Sequence, residues 1–178
     1  MMAENGWIQC FHRLTIAAMA ATLRNLRVIL AKAEEHARQH RVDLTSLLTA
    51  NLYADMFNLQ QQLQYACFLP VDFAQHFSSG PPPRVGYDEA TLPEFFASID
   101  STIAYLEAVT PERLAAPERT VPVFFDAKQG MAAEDYAASV IMPDFYFHVT
   151  VAYAILRHKG VPLGKSDFLG ELQSVPIA

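Results

Sequence analysis

The spacing of apolar positions divides the chain into four long stretches of helical period and one stretch that breaks it. In the first, Leu23, Leu26, Leu30 and Ala33 recur at three and four residues, with Ala17 and Ala18 allowing close approach nearer the start. The spacing predicts a helix from Ile8 to Gln39, whose tail, KAEEHARQHR, is polar on every side. DLTSLL at 43–48 reads as a short linking turn of helix. A second helix is predicted from Leu52 to Phe77, with Met56, Leu59, Leu63 and Ala66 on one stripe. Pro70 falls inside it and predicts a kink, because proline has no N–H and clashes with the preceding turn.

SSGPPPRVGYDEAT, residues 78–91, is a loop on composition. Thr91 with Glu94 has capping-box spacing, which predicts a third helix through Phe95, Ile99, Ile103 and Leu106 to Val109. RTVPVFFDAKQG at 119–130 abandons the helical period for β-branched and aromatic residues closed by a glycine, the pattern of an extended arm or small hairpin. The fourth helix is expected from Ala132 to His158, bent at Pro143 and ended by Gly160 and Pro162.

Four long amphipathic helices predict an all-α bundle in a single domain, residues 1–178. The second connection decides which orders are open. Fourteen residues extend at most about 46 Å, against about 30 Å for a twenty-residue helix. A crossover leaving the second and third helices parallel is therefore allowed, as is a simple up-down order.

Composition narrows the partners. With 52% hydrophobic residues the chain can fill a core without a disulfide or metal. The 13 basic and 19 acidic residues leave a net charge of -6 and form no basic stripe, so nucleic acid and an anionic membrane surface are not expected partners. Cys10 and Cys67 form no CxxC. The N-terminal apolar run IAAMAATL is flanked by Arg13 and Arg24 and too short to span a bilayer, so a cytoplasmic protein is expected.

Several familiar catalytic patterns fail. GVPLGKS at 160–166 is one residue short of a phosphate-binding loop and follows a helix instead of a strand. Neither GxSxG nor HExxH occurs. His36 and His40 share a helical face and could chelate a divalent ion, but they lie on the polar tail of the first helix, where solvated side chains are expected. Asp144 and His148 have the same spacing among Phe145, Tyr146, Phe147, Val149 and Val151, so this half-helix is apolar nearly all round. A carboxylate there needs a partner, a metal or a capping role beside Pro143. On the second helix Asp55 and Gln62, seven apart, offer complementary groups, with Gln60, Gln61 and Gln64 around them. Carboxylate, amide oxygen and imidazole together suit Zn²⁺, Mn²⁺ or Ni²⁺.

NLYADMFNLQQQLQYAC (51–67) with MPDFYFHVTVAYAILRHKGVPLGKSDFLG (142–170) resembles the DUF1993 family of unknown function, placed in the DinB/YfiT-like superfamily of metalloenzymes. The resemblance implies a DinB-like four-helix bundle in up-down-down-up order that pairs as a homodimer. It also implies a metal site, which in that superfamily takes three histidines. Matched to that pattern, the positions are Gln62, Asp144 and His148, so one histidine of three is kept. The expected function is accordingly a polar inter-helix pocket with a degenerate metal site, binding a small molecule with weak or no catalysis. The alternative is a metal-dependent thiol transferase or hydrolase using Zn, Ni or Mn at the same residues.

Overall fold

The structure is a computed structural model that describes residues 2–114, 118–172 and 177. It is mostly helical. Helices α1 (Met2–Leu14) and α2 (Ile16–His40) meet at Thr15, whose hydroxyl and amide both donate to Phe11 O. The first predicted helix is thus two helices, and it starts earlier than Ile8. Along α2 the predicted stripe is the buried one: Leu23, Leu26, Leu30 and Ala33 are essentially solvent-free. Val42 N–H closes the end on Ala37 O, past Arg41 in the left-handed region at φ 55°. The linking turn is α3 (Leu44–Leu48), capped by the Asp43 side chain on Thr45 N–H.

Helix α4 (Leu59–Ala74) begins seven residues later than its apolar stripe predicts. The reason is a cap. Asn58 Oδ1 accepts Gln61 N–H at 2.9 Å while Gln61 Oε1 accepts Asn58 N–H at 3.1 Å, a reciprocal box that sets the first turn. Residues 51–58 form a loop closed by Leu59 N–H on Ala50 O. Asp55 is therefore exposed and off the helix, so its predicted two-turn relation to Gln62 does not exist. Pro70 lies inside α4, as expected.

The long loop is pinned to α4 at Gly86. With φ at 80°, a Cβ there would lie 2.6 Å from Gln64 O, so only glycine fits. Glu89, buried, holds the same turn by accepting the N–H groups of Gly86 and Tyr87. Helix α5 (Leu92–Glu107) starts where predicted, with Glu94 accepting Thr91 N–H at 2.9 Å.

The irregular stretch is a hairpin, β1 (Thr120–Val123) against β2 (Asp126–Ala132), antiparallel with Thr120 opposite Ala132 and Val121 opposite Met131. It runs two residues beyond the predicted closing glycine. Val121 and Val123 point into the core.

The last long helix comprises α6 (Ala133–Tyr136), a π turn at Ala137–Ile141, and α7 (Met142–His158). Within the π turn Met142 N–H bonds Ala137 O, five residues back. The wider turn directly precedes Pro143 and gives its ring room against the carbonyl four residues earlier. Gly160, at φ 92°, ends α7 with Val161 N–H on Leu156 O. A short α8 (Lys165–Leu169) follows and lies on α2, with Lys32 paired to Asp167.

The four long helices α2, α5, α4 and α7 pack in that cyclic order, each against the next and α7 back on α2. Leu23, Leu63, Phe73, Phe95, Phe145 and Ile155 fill the centre. Two helical stretches, Gly6–His40 and Ala133–His158, are long and apolar enough to cross a bilayer by length and composition alone. Both contribute heavily to this core, including Leu26 and Ile29 from one and Phe145 and Ile155 from the other.

Candidate functional site

The seam between α4 and α7 brings Gln62, Asp144 and His148 together. Gln62 and His148 are 1% and 5% exposed, so their polar atoms must find partners inside the protein. They find each other: His148 Nδ1 lies 2.6 Å from Gln62 Oε1. The amide is orientated by its own nitrogen, which donates to Phe57 O at 3.2 Å. Oε1 is thus the atom facing the ring, and since it can only accept, Nδ1 carries the proton.

That assignment leaves Nε2 as the second ring atom, 3.3 Å from Asp144 Oδ1 one helical turn away. Burial pushes the imidazole pKa below its ordinary value, outweighing the upward pull of Asp144. The ring is therefore neutral near pH 7, and its Nε2 lone pair faces a carboxylate oxygen. Two acceptors in that relation repel unless a cation (a proton, a metal ion or an ammonium group) comes between them.

Aromatic rings enclose the pair. Tyr65 stacks on the imidazole at 4.8 Å between centroids and Phe57 at 6.2 Å, while Phe147 meets it edge-on at 5.5 Å. Phe57 comes from the loop that precedes α4, so the Asn58 cap positions one wall of the site as well as the helix.

As a metal centre the arrangement is incomplete. Gln62 Oε1 is engaged on the ring edge opposite Nε2, the place where a metal-bound histidine usually has its orienting acceptor. The donors left are His148 Nε2 and Asp144. Among the described residues no group of three or more His, Cys, Asp or Glu side chains is placed to hold an ion. Two protein donors fall short of the three that catalytic zinc sites use.

The DUF1993 family profile, a domain of unknown function, matches residues 11–169. The chain belongs to the DUF1993 family. It is also similar to a solved structure, the crystal structure of a DinB family member protein from Shewanella denitrificans. The two are 31% identical, with a TM-score of 0.88 over 97% of this chain and 99% of that one. The likeness agrees with the DinB-like superfamily implied by the sequence. No curated protein matches the chain.

The DUF1993 chain carries a second buried polar cluster farther along the same seam, which sequence reasoning missed. Tyr136 donates its hydroxyl to Asp72 Oδ2 at 2.7 Å and accepts the N–H of Phe124 at 3.2 Å, tying the hairpin to α4 through the last helix. Gln75 donates to the other Asp72 oxygen. Burial pushes the Asp72 pKa up despite these donors, and pushes the Tyr136 phenol up as well. His76 lies close by with its Nε2 buried and without a hydrogen-bond partner, and burial holds its pKa below the usual value. The signal was present as a lone aspartate in the apolar run FLPVDFA.

Cys67 and the His36–His40 pair were the other candidates. Cys67 is fully buried, and burial pushes its thiol up to about 12. His36 and His40 stack at 4.2 Å between ring centroids, with His40 Nδ1 at 3.0 Å from His36 O. That ring nitrogen is occupied by the helix backbone.

Proposed function

We propose that the Gln62–His148–Asp144 cluster is a small-molecule binding site with weak or no catalytic activity. Support comes chiefly from the Gln62 bond to His148 Nδ1, which spends the amide oxygen on orienting the ring and leaves Nε2 beside the partly exposed Asp144 carboxylate. The frame for this site is a DinB-like four-helix bundle in up-down-down-up order, bent at Pro70 and Pro143, that pairs as a homodimer. Exposed Phe147 and Phe125, 53% and 61% accessible, supply apolar area for such pairing. A two-dimensional NMR screen of small organic fragments tests the site: hits should perturb Phe57, Gln62, Tyr65 and His148 together. Hits confined elsewhere, or none at all, would sink this reading.

The same acceptor pair also favours a second reading, a divalent-metal enzyme of the thiol transferase or hydrolase kind in which His148 and Asp144 are joined by donors from the substrate. Elemental analysis of tag-free protein separates the two. Stoichiometric Zn, Ni or Mn that is lost in His148→Ala and kept in the His36→Ala/His40→Ala double variant would establish the metal reading. Light scattering at micromolar concentration should give twice the 19.8 kDa chain mass; the monomer mass would refute pairing.

A further inference from the structure

The last turns of α2 carry two imidazoles on one face. His36 and His40, four apart, stack with ring centroids 4.2 Å apart and planes 30° from parallel. His40 Nδ1 lies 3.0 Å from His36 O, and since a carbonyl only accepts, Nδ1 carries the proton. Nε2 keeps the lone pair. A ring tied in this way to a backbone carbonyl is oriented as metal-binding histidines usually are. The Nε2 edge of His36 faces the turn after α7, where a Cβ on Gly160 would lie 3.9 Å from that nitrogen. Among the described residues neither ring makes a hydrogen bond beyond that of His40 Nδ1.

A cleft of about 460 Å³ opens beside the pair, lined by both rings with Lys32, Glu35, Gln39 and Pro162. The charges in this lining are already matched. Lys32 pairs with Asp167, and Glu35 accepts from Arg38 and Gln39. What remains to receive a ligand is the imidazole pair, at a helix C-terminus whose dipole favours a cation. Two nitrogens sharing one ion at about 2.0–2.1 Å stand about 3–3.5 Å apart. A stack at 4.2 Å reaches that bite by closing slightly.

We infer that His36 and His40 form a two-imidazole chelate for a divalent transition metal. Nitrogen donors suit Cu²⁺, Ni²⁺ and Zn²⁺ and disfavour Mg²⁺ and Ca²⁺, which take oxygen. Two protein donors are one short of a catalytic zinc set, so the site is one of exchangeable metal whose other positions open into the cleft. It stands apart from the Gln62–Asp144–His148 cluster, since His148 lies ten residues, about 15 Å of helix, before the end of α7 at His158. The inference does not depend on the function proposed for that cluster.

Calorimetric titration of the full, tag-free, metal-stripped chain with Cu²⁺, Ni²⁺, Zn²⁺ and Mg²⁺ near neutral pH tests it. One equivalent of Cu²⁺ should bind tightest, Ni²⁺ and Zn²⁺ more weakly, and Mg²⁺ not at all. His36→Ala and His40→Ala should each weaken this event about tenfold or more, because a chelate loses its second contact. His158→Ala, at an exposed histidine of the same end of the bundle, should retain it. In the wild-type chain, sub-stoichiometric Cu²⁺ should broaden the ring signals of His36 and His40 before those of the other histidines, a readout that needs no variant. No binding, or binding that both single variants leave intact, would overturn the chelate. Loss in only one of the two would reveal an adventitious single-imidazole contact only, and would overturn it as well. So would a sole binding event that disappears in His148→Ala while both α2 variants keep it, which would assign the metal to the α4–α7 seam.

Discussion

Gln62 accepts the Nδ1–H of His148 across 2.6 Å, and this one bond decides which nitrogen the imidazole offers to the rest of the site. Replacing Gln62 by Leu leaves a buried donor unsatisfied, at a cost of about 1–3 kcal/mol. Urea unfolding should show a lower midpoint at unchanged slope. Nitrogen NMR of the imidazole should report a fixed Nδ1–H tautomer in the wild type and a tautomer mixture in Gln62→Leu. A mixture in both would contradict the assigned hydrogen bond.

Asp72 and the half-buried His76 give opposite pH signatures. Burial raises the Asp72 pKa above 3.8, so the folded state holds more protons than the unfolded one between those values. This contribution to stability is present at low pH and is lost as pH rises through the folded pKa. His76 is depressed below 6.5, so there the unfolded state binds more protons, and stability is lost as pH falls below 6.5. Denaturation midpoints measured across pH should therefore respond differently in two variants. His76→Gln flattens the fall on the acid side of 6.5, and Asp72→Asn flattens the decline that begins above 3.8. Slopes identical to wild type in both would refute the burial.

Tyr136 joins three segments through one oxygen. Tyr136→Phe deletes the donor to the Asp72 carboxylate and the acceptor of Phe124 N–H, so a loss of about 1.5–3 kcal/mol is expected. Amide exchange in the hairpin should accelerate at Phe124 in particular. Unchanged exchange there would mean that the hairpin is held by its own packing.

The start of α4 can be tested by substitution at two positions three apart. Asn58→Ala removes the box partner of Gln61 and should cost about 1 kcal/mol. Asp55→Ala, in the exposed loop, should leave stability unchanged within about 0.5 kcal/mol. The reverse outcome would restore the earlier helix start that the apolar stripe suggests.

That stripe shows where sequence reasoning held and where it failed. Leu59, Leu63 and Ala66 are buried as their spacing requires, yet Leu52 and Met56 keep the same rhythm outside the helix. Periodicity reports which residues share a face once a helix exists. The start was decided by Asn58 and Gln61, a local hydrogen-bonding match that hydrophobic spacing does not register. The meeting of His148 and Gln62 was legible because an imidazole among phenylalanines and valines must point inward and needs an acceptor. The link from Asp72 to Tyr136 spans 64 residues and follows no repeat, so only the folded chain reveals it.

The π turn before Pro143 carries a consequence for the phase of the last helix. At about 100° per residue, Tyr136 and His148, twelve apart, would point about 120° away from each other on a regular helix. The turn at Ala137–Ile141 absorbs one extra residue, which brings the pair to within about 20°. Tyr136 and His148 consequently both reach α4, one meeting Asp72 and the other Gln62. Deleting a single residue from 137–141 would let the helix close regularly, with the pair eleven apart and still in phase. One further residue inserted there would instead turn everything upstream by about 100° and uncouple the hairpin from the site. The polar seam is thus kept in phase by a π turn that takes up one residue.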